Sequence, residues 1–583
     1  MGVFTEKHKL FFRFSLVFLA FGSVIYASTT GKIAGTITDA ETGEPLWGVN
    51  VIVEGVSGGL GTATNADGYY VILNVPPGTY SLKTTMIGYT AITKTEVEVF
   101  IDQTSLVDFN LSKSVLQGDE VVVTAKRSIV HKDVSTSVLS VNAEEIETSI
   151  HTSVANIIGE QAGIEGLQVR GGAVDETAFM VDGVMLRNPR TNEPITGIAL
   201  SGIQNINVKR GGFEAEYGQV RAGIVNVVTR EGDPNKYAAT ISVDYNPPEP
   251  DYFDSSPYSY DSYYNRPYYD DEVCWTGTGN WPDYISSQYP EFEGWDQVSE
   301  NTLTDSDPNN DLTPLGAQVL ESWRRRQEQT TNIPDINIDA GFGGPVPVVG
   351  DMLGNLRFFA TYKRDRAALV IPLATNQYND NNFRLKLNSD IASNISLELS
   401  GMYGFNAYNA QNWSYLYFLD QPEEIARDAD ERAVFGTGYY SISKQYYDQF
   451  SATINHTLNN KSFYRASISQ THTKYRTNPA DLRDTSRVYY IIPGYQAVDE
   501  APYGWWASLN PYTNEPTTFQ YGAHVARQRD TSDVYVYEMK ADYTNQVNSV
   551  HQVKSGFNVQ FSRSELRYSE IQMSTENQIV SYT

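Results

Sequence analysis

Cysteine is nearly absent. Cys274 is the single one in 583 residues, so no intrachain disulfide can form, and a buried, inert thiol is expected there. None of the 7 histidines stands at a zinc-like spacing from another ligand, which argues against a zinc hydrolase. Basic residues are scarce beside acidic ones, 43 against 70 for a net charge of −27. That balance argues against a nucleic-acid partner, because phosphate binding needs clustered positive charge. Past the N-terminus no apolar run reaches helix-spanning length, and the mean hydropathy is −0.39. A helical membrane protein is thereby excluded, but not a β-barrel, whose strands are apolar on one face only. No full-length phosphate loop or dinucleotide fingerprint occurs. Gly55, Ser57 and Gly59 fit the spacing of a nucleophile elbow, yet Ser57 falls between two strand patterns, whereas the elbow needs a strand feeding a helix. With no catalytic constellation, the chain is not read as an enzyme. What is plentiful is aromatic: 12% of the chain, with 40 Tyr and 8 Trp.

The length predicts more than one domain. Lys7, Lys9 and Arg13 precede an apolar run from Phe14 to Ile25, and Ala27 offers a small residue before Ser28. Residues 1–27 therefore read as a cleaved signal peptide. Across 28–114, strand patterns at Lys32 to Thr38, Val49 to Glu54, Tyr69 to Leu73, Thr79 to Met86 and Ser105 to Leu111 alternate with turn clusters, which predicts an all-β sandwich. Within a linker at 115–130, the run Asp119, Glu120, Val121, Val122, Val123, Thr124 and Ala125 is β-branched. It reads either as an edge strand of a neighbouring domain or as an extended segment open to strand addition.

In 131–232, Asn142 with Glu145 forms a capping box, followed by Ile146 and Ile150 at helical spacing, and Ser153 starts a second helix with Val154, Ile157 and Ile158. Four short β-branched runs follow, opening at Leu167, Phe179, Ile206 and Gly223. Arg170-Gly171-Gly172 and Arg210-Gly211-Gly212 end two of them, and Asp182-Gly183 is a two-residue hairpin signal. A small α/β domain is expected.

From 233 to 583 the pattern turns to long alternation. Phe383, Leu385 and Leu387 interleave with Arg384, Lys386 and Asn388; Ile395, Leu397 and Leu399 continue the parity; Phe450, Ala452 and Ile454, then Tyr535, Tyr537 and Met539, repeat it. Short connections at Ser389 to Asn394, Asn459 to Lys461 and Thr544 to Val550 alternate with long ones at Asn246 to Asp335, Arg366 to Asn381, Asn406 to Gln445 and Thr477 to Ser532. Transmembrane barrels sort their connections this way, with the long ones outside. Asn246 to Asp335 is then an external loop and a candidate solute contact. In it Asp305, Asp307, Asn309 and Asp311 place an oxygen at every second residue, which suits either a calcium site or a solvated acidic loop. Asn310 stands where a calcium loop has glycine, and Gly316 where it has its closing glutamate.

Lys209 to Gly218, which reads Lys-Arg-Gly-Gly-Phe-Glu-Ala-Glu-Tyr-Gly, together with Gly223-Ile224-Val225-Asn226, resembles the plug domain of TonB-dependent outer-membrane transporters. The match carries Arg210, Gly211, Gly212, Tyr217, Gly218 and Asn226. Gly35 to Asp39, Thr42 to Leu46, Asp67 to Tyr70 and Pro77 to Tyr80 look like a carboxypeptidase-regulatory-like domain, an accessory sandwich. The resemblance implies a receptor in the outer membrane, sandwich and plug on the periplasmic side, that binds an extracellular solute and admits it past the plug. It implies a TonB-type energy-transducing partner at Asp119 to Ala125, contact with outer-membrane lipid, and plug arginines such as Arg170 and Arg210 facing acids on the barrel wall; for Arg170 an exposed turn position is the alternative. Glycan, siderophore and peptide all remain open as solute, and a surface lipoprotein as a further partner. A structural or adhesive barrel without transport is the rival reading. Plugged barrels run to about 22 strands, whereas 233–583 offers roughly ten, so further strands are expected beyond Thr583. For processing, N-terminal sequencing of outer-membrane fractions is expected to begin close to Ser28; a retained Met1 would contradict the signal peptide.

Overall fold

The computed structural model describes residues 29–55, 59–114, 121–124, 138–211, 220–248, 256–306, 311–326, 332–369, 374–410, 418–419, 434–435, 441–478, 489–493, 495–497, 528–573 and 579–582. The signal peptide lies outside them.

The N-terminal strands are β1 (Gly31–Asp39), β2 (Asn50–Glu54), β3 (Gly61–Ala63), β4 (Tyr69–Val75), β5 (Gly78–Thr85), β6 (Ile92–Val99), β7 (Thr104–Leu106), β8 (Phe109–Leu111) and β9 (Val121–Thr124). In one sheet β1 pairs antiparallel with β4 and parallel with β7 and β8; the other runs β3-β2-β5-β6-β9. Alternate residues of both sheets, among them Ile33, Ile37, Val51, Val53, Ile72, Leu82 and Val97, meet in a common core. This is the predicted sandwich. Strand β6 was not expected from the sequence: Lys94 and Glu98 stand in it, and Glu96 at φ +59 and a register shift opposite Tyr80 and Leu82 interrupt its regular pairing with β5.

The second domain contains β10 (Val138–Asn142), α1 (Ala143–Glu147), α2 (Val154–Gly159), β11 (Ile164–Glu165), β12 (Gln168–Val169), β13 (Thr177–Val181), β14 (Val184–Met185), β15 (Ile203–Lys209) and β16 (Gly223–Thr229). Its main sheet runs β10-β15-β16-β13-β14, with β13 and β16 parallel. The capping box forms as the spacing predicts: the Asn142 side chain accepts from Glu145 N at 2.9 Å, and Glu145 Oε2 accepts from Asn142 N at 3.1 Å. Ser153 caps α2 through Asn156 N at 3.2 Å. Ile150 does not continue the first helix; α1 stops at Glu147 and Ile150 is fully exposed.

The rest is one large antiparallel sheet with a helical insert. After β17 (Ala238–Asn246) come α3 (Arg266–Tyr269), α4 (Asp283–Ser286), α5 (Trp295–Thr304) and α6 (Pro314–Arg324). Then follow β18 (Asp335–Pro345), β19 (Arg357–Ala368), β20 (Gln377–Ala392), β21 (Ile395–Ala410), β22 (Phe418–Leu419), β23 (Ser441–Asn459) and β24 (Ser462–Asn478). Last are β25 (Tyr489–Ile492), β26 (Tyr495–Ala497), β27 (Gln528–Asp530), β28 (Asp533–Gln546), β29 (Gln552–Glu565), β30 (Tyr568–Met573) and β31 (Ile579–Tyr582). Hairpin pairing follows the predicted parity: Phe383 faces Tyr403, Ala452 faces Ile468 and Tyr537 faces Phe561 across neighbouring strands. Among the described residues the sheet curves round the second domain without closing, and both faces of edge strand β17 are exposed.

Its polarity is inverted relative to a water-soluble sheet. On β20 the buried residues are Asp380, Asn382, Arg384, Lys386 and Asn388, while Phe383 is 47% exposed; on β23 Gln445, Gln449 and Ser451 are buried and Phe450 is 52% exposed. A sheet in water hides its apolar face, so polar-inward, apolar-outward strands are those of a barrel in lipid.

The insert differs from the irregular loop expected between Asn246 and Asp335. Its helices pack around Tyr268, Cys274, Phe292, Trp295, Val298, Leu312, Ala317 and Leu320, with Trp295 Nε1 donating to Tyr268 O at 2.8 Å. The buried Glu321–Arg325 pair, 2.5 Å apart, lays its guanidinium 4.2 Å from the Tyr268 ring centroid. Aromatic packing rather than regular periodicity builds this core, so no alternation announces it. Burial, with Asp271 and Asp270 nearby, pushes the Cys274 thiol up to about 11. At pH 8 the thiolate is therefore a minute fraction. Maleimide labelling of native protein is expected to leave Cys274 unmodified and to modify it fully in guanidinium; rapid native labelling would contradict the packed insert.

Candidate functional site

Of the segment expected to be the coupling strand, Val121, Val122, Val123 and Thr124 form β9; Asp119, Glu120 and Ala125 lie outside the described residues. Strand β9 pairs in parallel with β6, Ile92 opposite Val121 through Thr95 opposite Thr124. It is thus extended, as strand addition requires, and at the same time the edge strand of the sandwich. All of its side chains are exposed.

The glycine-marked turn after Val169 forms where predicted. Arg170 and Gly171 have φ of +52 and +76, and a Cβ on Gly172 would stand 2.3 Å from the Ala222 Cβ, so only glycine fits there. Arg170 is exposed and its guanidinium lies beside Gly211, while Arg210 donates to Ala162 O at 2.6 Å. These contacts lie within the second domain, and Arg170 takes the exposed turn position that was its alternative. Gly212, Tyr217 and Gly218 fall outside the described residues. Asn226 is buried mid-strand, opposite Asn207 on one side and Met180 on the other.

The contact with the barrel wall is carried instead by the Asp182-Gly183 turn. Both residues have positive φ, +50 and +83, in a tight hairpin. The Asp182 carboxylate accepts from Thr229 N at 2.9 Å and Thr229 Oγ1 at 2.6 Å, from Arg384 at 2.5 Å and from Lys386 at 3.4 Å. The turn's backbone is held as well, with Arg465 donating to Asp182 O at 3.3 Å and Lys540 to Gly183 O at 2.7 Å. Four cations from three barrel strands therefore grip one turn, and Glu398 pairs with Lys386 at 3.4 Å behind them. Burial alone would raise the Asp182 pKa; Lys386 and Arg384 outweigh it and hold the carboxyl at about 2. A 350 Å³ cavity between sandwich, plug and barrel reaches this cluster.

Sequence reasoning missed two further seats. Arg190 pairs with Asp530 and lies 4.0 Å from the Tyr475 ring centroid, while Tyr475 Oη donates to Asn188 at 2.5 Å. Asp339 on β18 accepts from Leu200 N at 2.5 Å and Ser201 N at 3.0 Å. Arg190-Thr191-Asn192 resembles any polar turn, and no local signal distinguishes it.

Asp305 ends α5 and Asp311 precedes α6; Asp307 and Asn309 lie outside the described residues. Among the described residues no group of three His, Cys, Asp or Glu side chains could hold a metal.

Asp182→Asn removes the anion and leaves Arg384 and Lys386 buried beside a neutral amide. Removing one partner of a buried pair costs roughly 3–5 kcal/mol, so the urea midpoint for release of the plug, followed by a fluorophore on it, should fall markedly. Because the folded pKa is about 2 and the ordinary value 3.8, this stabilisation is complete above about pH 4 and lost as pH falls towards 2. The wild-type midpoint should drop across that window and the variant should lack this component; identical pH profiles would contradict the role of Asp182.

Residues 33–123 match the family model of the CarboxypepD_reg-like domain, which runs into β9, and residues 130–225 match that of the TonB-dependent receptor plug domain. The chain is similar to the TonB-dependent transporter Oar of Myxococcus xanthus, 24% identical over 249 residues that cover 39% of this chain and 23% of that protein. It is similar also to a TonB-dependent receptor of Formosa agariphila, 31% identical over 246 residues covering 40% of this chain and 22% of that one. The matched part thus spans under a quarter of either relative's length. Among solved structures, the siderophore receptor PirA from Pseudomonas aeruginosa is 11% identical, with 76% of this chain and 52% of that chain covered at a TM-score of 0.40. In its first 225 residues, then, the chain carries a CarboxypepD_reg-like domain followed by a TonB-dependent receptor plug domain, and in this arrangement it is similar to TonB-dependent receptors.

Proposed function

We propose that this chain serves as an outer-membrane receptor that binds an extracellular solute and imports it past the plug, driven by a TonB-type protein at Asp119 to Ala125. It works as a transporter and not as an enzyme. The observation that carries this reading is the Asp182 turn gripped by Arg384, Lys386, Arg465 and Lys540. A domain so fastened inside a polar-walled sheet obstructs passive flow, and releasing it requires work. The outer membrane has no nucleotide supply, so the work must arrive through a protein contact, and an extended strand is the simplest one. The helical insert, with its exposed Tyr260, Tyr263 and Tyr284, suits solute capture on the outer side. A glycan, a ferric siderophore and a peptide all fit such a surface.

Cells carrying the receptor would be offered labelled oligosaccharides, ferric siderophores and peptides, with surface binding and uptake measured separately. Val122→Pro removes a ladder donor, so binding should persist while uptake falls to background; Val122→Thr, still β-branched, should keep both. Normal uptake with Val122→Pro would reject the coupling role, and lost binding would mark a folding defect.

A further inference from the structure

The two ends of the large sheet have different neighbours. The helical insert joins β17 to β18 at the end that carries the long connections, whereas the sandwich sits at the end of the short ones. Asn460, in the turn between β23 and β24, donates to Thr62 at 3.4 Å; Phe463, just past that turn, packs against Ala34, Val71 and Leu73; and Lys554, near the start of β29, pairs with Asp102 at 3.3 Å. The sandwich also covers the 350 Å³ cavity beside Asp182, which Pro76, Pro77 and Tyr80 line from the sandwich and Asn388, Glu398 and Arg465 from the sheet. Each of those last three holds a side-chain atom buried without a hydrogen-bond partner among the described residues, so the wall can still bond a polar guest. A solute that passes the Asp182 turn therefore arrives beneath the sandwich.

The sandwich is held unequally on its two sides. Toward the sheet its polar contacts are open to water: the Asn460–Thr62 bond is exposed and Lys554 is 38% exposed, and such pairs add little. Toward the plug they are buried. Asp102 and Lys209 pair at 2.9 Å with side chains only 6% and 4% exposed, and Ile101 O accepts from Asn207 at 3.1 Å; a buried ion pair is costly to separate. Asp102 belongs to both sides, so it can release Lys554 and keep Lys209. We propose, resting on the import reading above, that the sandwich is a gate over the inner end of the barrel and that it opens as one body with the plug. The solute then leaves only when both have come away from the sheet.

Two pairs of cysteines test this in cells carrying the receptor, each bridged by a short, reducible bis-methanethiosulfonate, with closure read as a mobility change on non-reducing gels. Thr62→Cys with Asn460→Cys ties the sandwich to the sheet. Glu98→Cys with Asn142→Cys, whose native side chains bond at 2.9 Å beside a cavity between sandwich and plug, ties the sandwich to the plug. Labelled oligosaccharides, ferric siderophores and peptides are the probes, with surface binding and uptake measured separately and single-cysteine versions as controls. The first bridge should leave binding intact and abolish uptake until reductant is added; the second should leave both intact. Uptake that survives the first bridge would overturn the gate, and so would loss of surface binding, which would place the sandwich in capture instead. Failure of the first pair to bridge would show that the sandwich is not seated there and would also overturn it. Uptake lost with the second bridge would show that sandwich and plug must part, against their moving as one body. No uptake of any probe by the unmodified receptor would instead sink the import reading, and this proposal with it.

Discussion

The Asp182 carboxylate, buried among Arg384, Lys386, Arg465 and Lys540, is the interaction on which the seating of the plug depends. Its value comes less from attraction than from what its loss exposes. Two charges taken from water and paired well come close to breaking even, but a buried cation whose partner departs is left with its full desolvation cost. Withdrawing the Asp-Gly turn would strand Arg384 and Lys386 together. The turn is therefore hard to leave by small displacements, and its replacement by water demands that the wall become wet first. The cavity lined by Asp182, Lys386, Glu398 and Arg465 places space for water on one side of the cluster, so rehydration can begin there.

The same wall explains the shape of the rest. Arg384 and Lys386 face inward only because Phe383, Leu385 and Leu387 face outward, and strict alternation makes either arrangement imply the other. A single-residue slip would put both cations into lipid, at a cost of about 2–4 kcal/mol each near the midplane. Register in β20 is thus fixed twice, by lipid outside and by Asp182 within. Met402 and Tyr447, on β21 and β23, join the plug's own core, so the wall also supplies apolar packing where the plug presents it.

Local chemistry was legible in the sequence and distant pairing was not. The Asn142–Glu145 box, the Ser153 cap, the Asp182-Gly183 hairpin and the parity of β20 and β21 all formed as predicted, because each is decided within a few residues. Asp182 and Arg384 stand 202 positions apart, and nothing near either names the other. That is why Asp182 was taken only for a turn former. Arg190 went unnoticed for the same reason. The helices of the insert are short and pack on Tyr268, Phe292 and Trp295, so each carries too few turns for its period to stand out in the sequence. Of the two readings of the valine run, the structure shows the edge strand, Val121 to Thr124 pairing with β6.

The sandwich edge and the seat of the plug are held by different means. The β9–β6 ladder is one short strand's worth of backbone hydrogen bonds, each contributing roughly 0.5–1.5 kcal/mol net, with no buried side chain added. The Asp182 cluster is worth roughly 3–5 kcal/mol to whatever removes its anion, and it is reinforced by Arg190–Asp530 and by Asp339 on the plug backbone. A few such bonds sum to the same order as the Asp182 cluster, so it is the added contacts of Arg190 and Asp339, spread over separate barrel strands, that make the seat of the plug the firmer of the two.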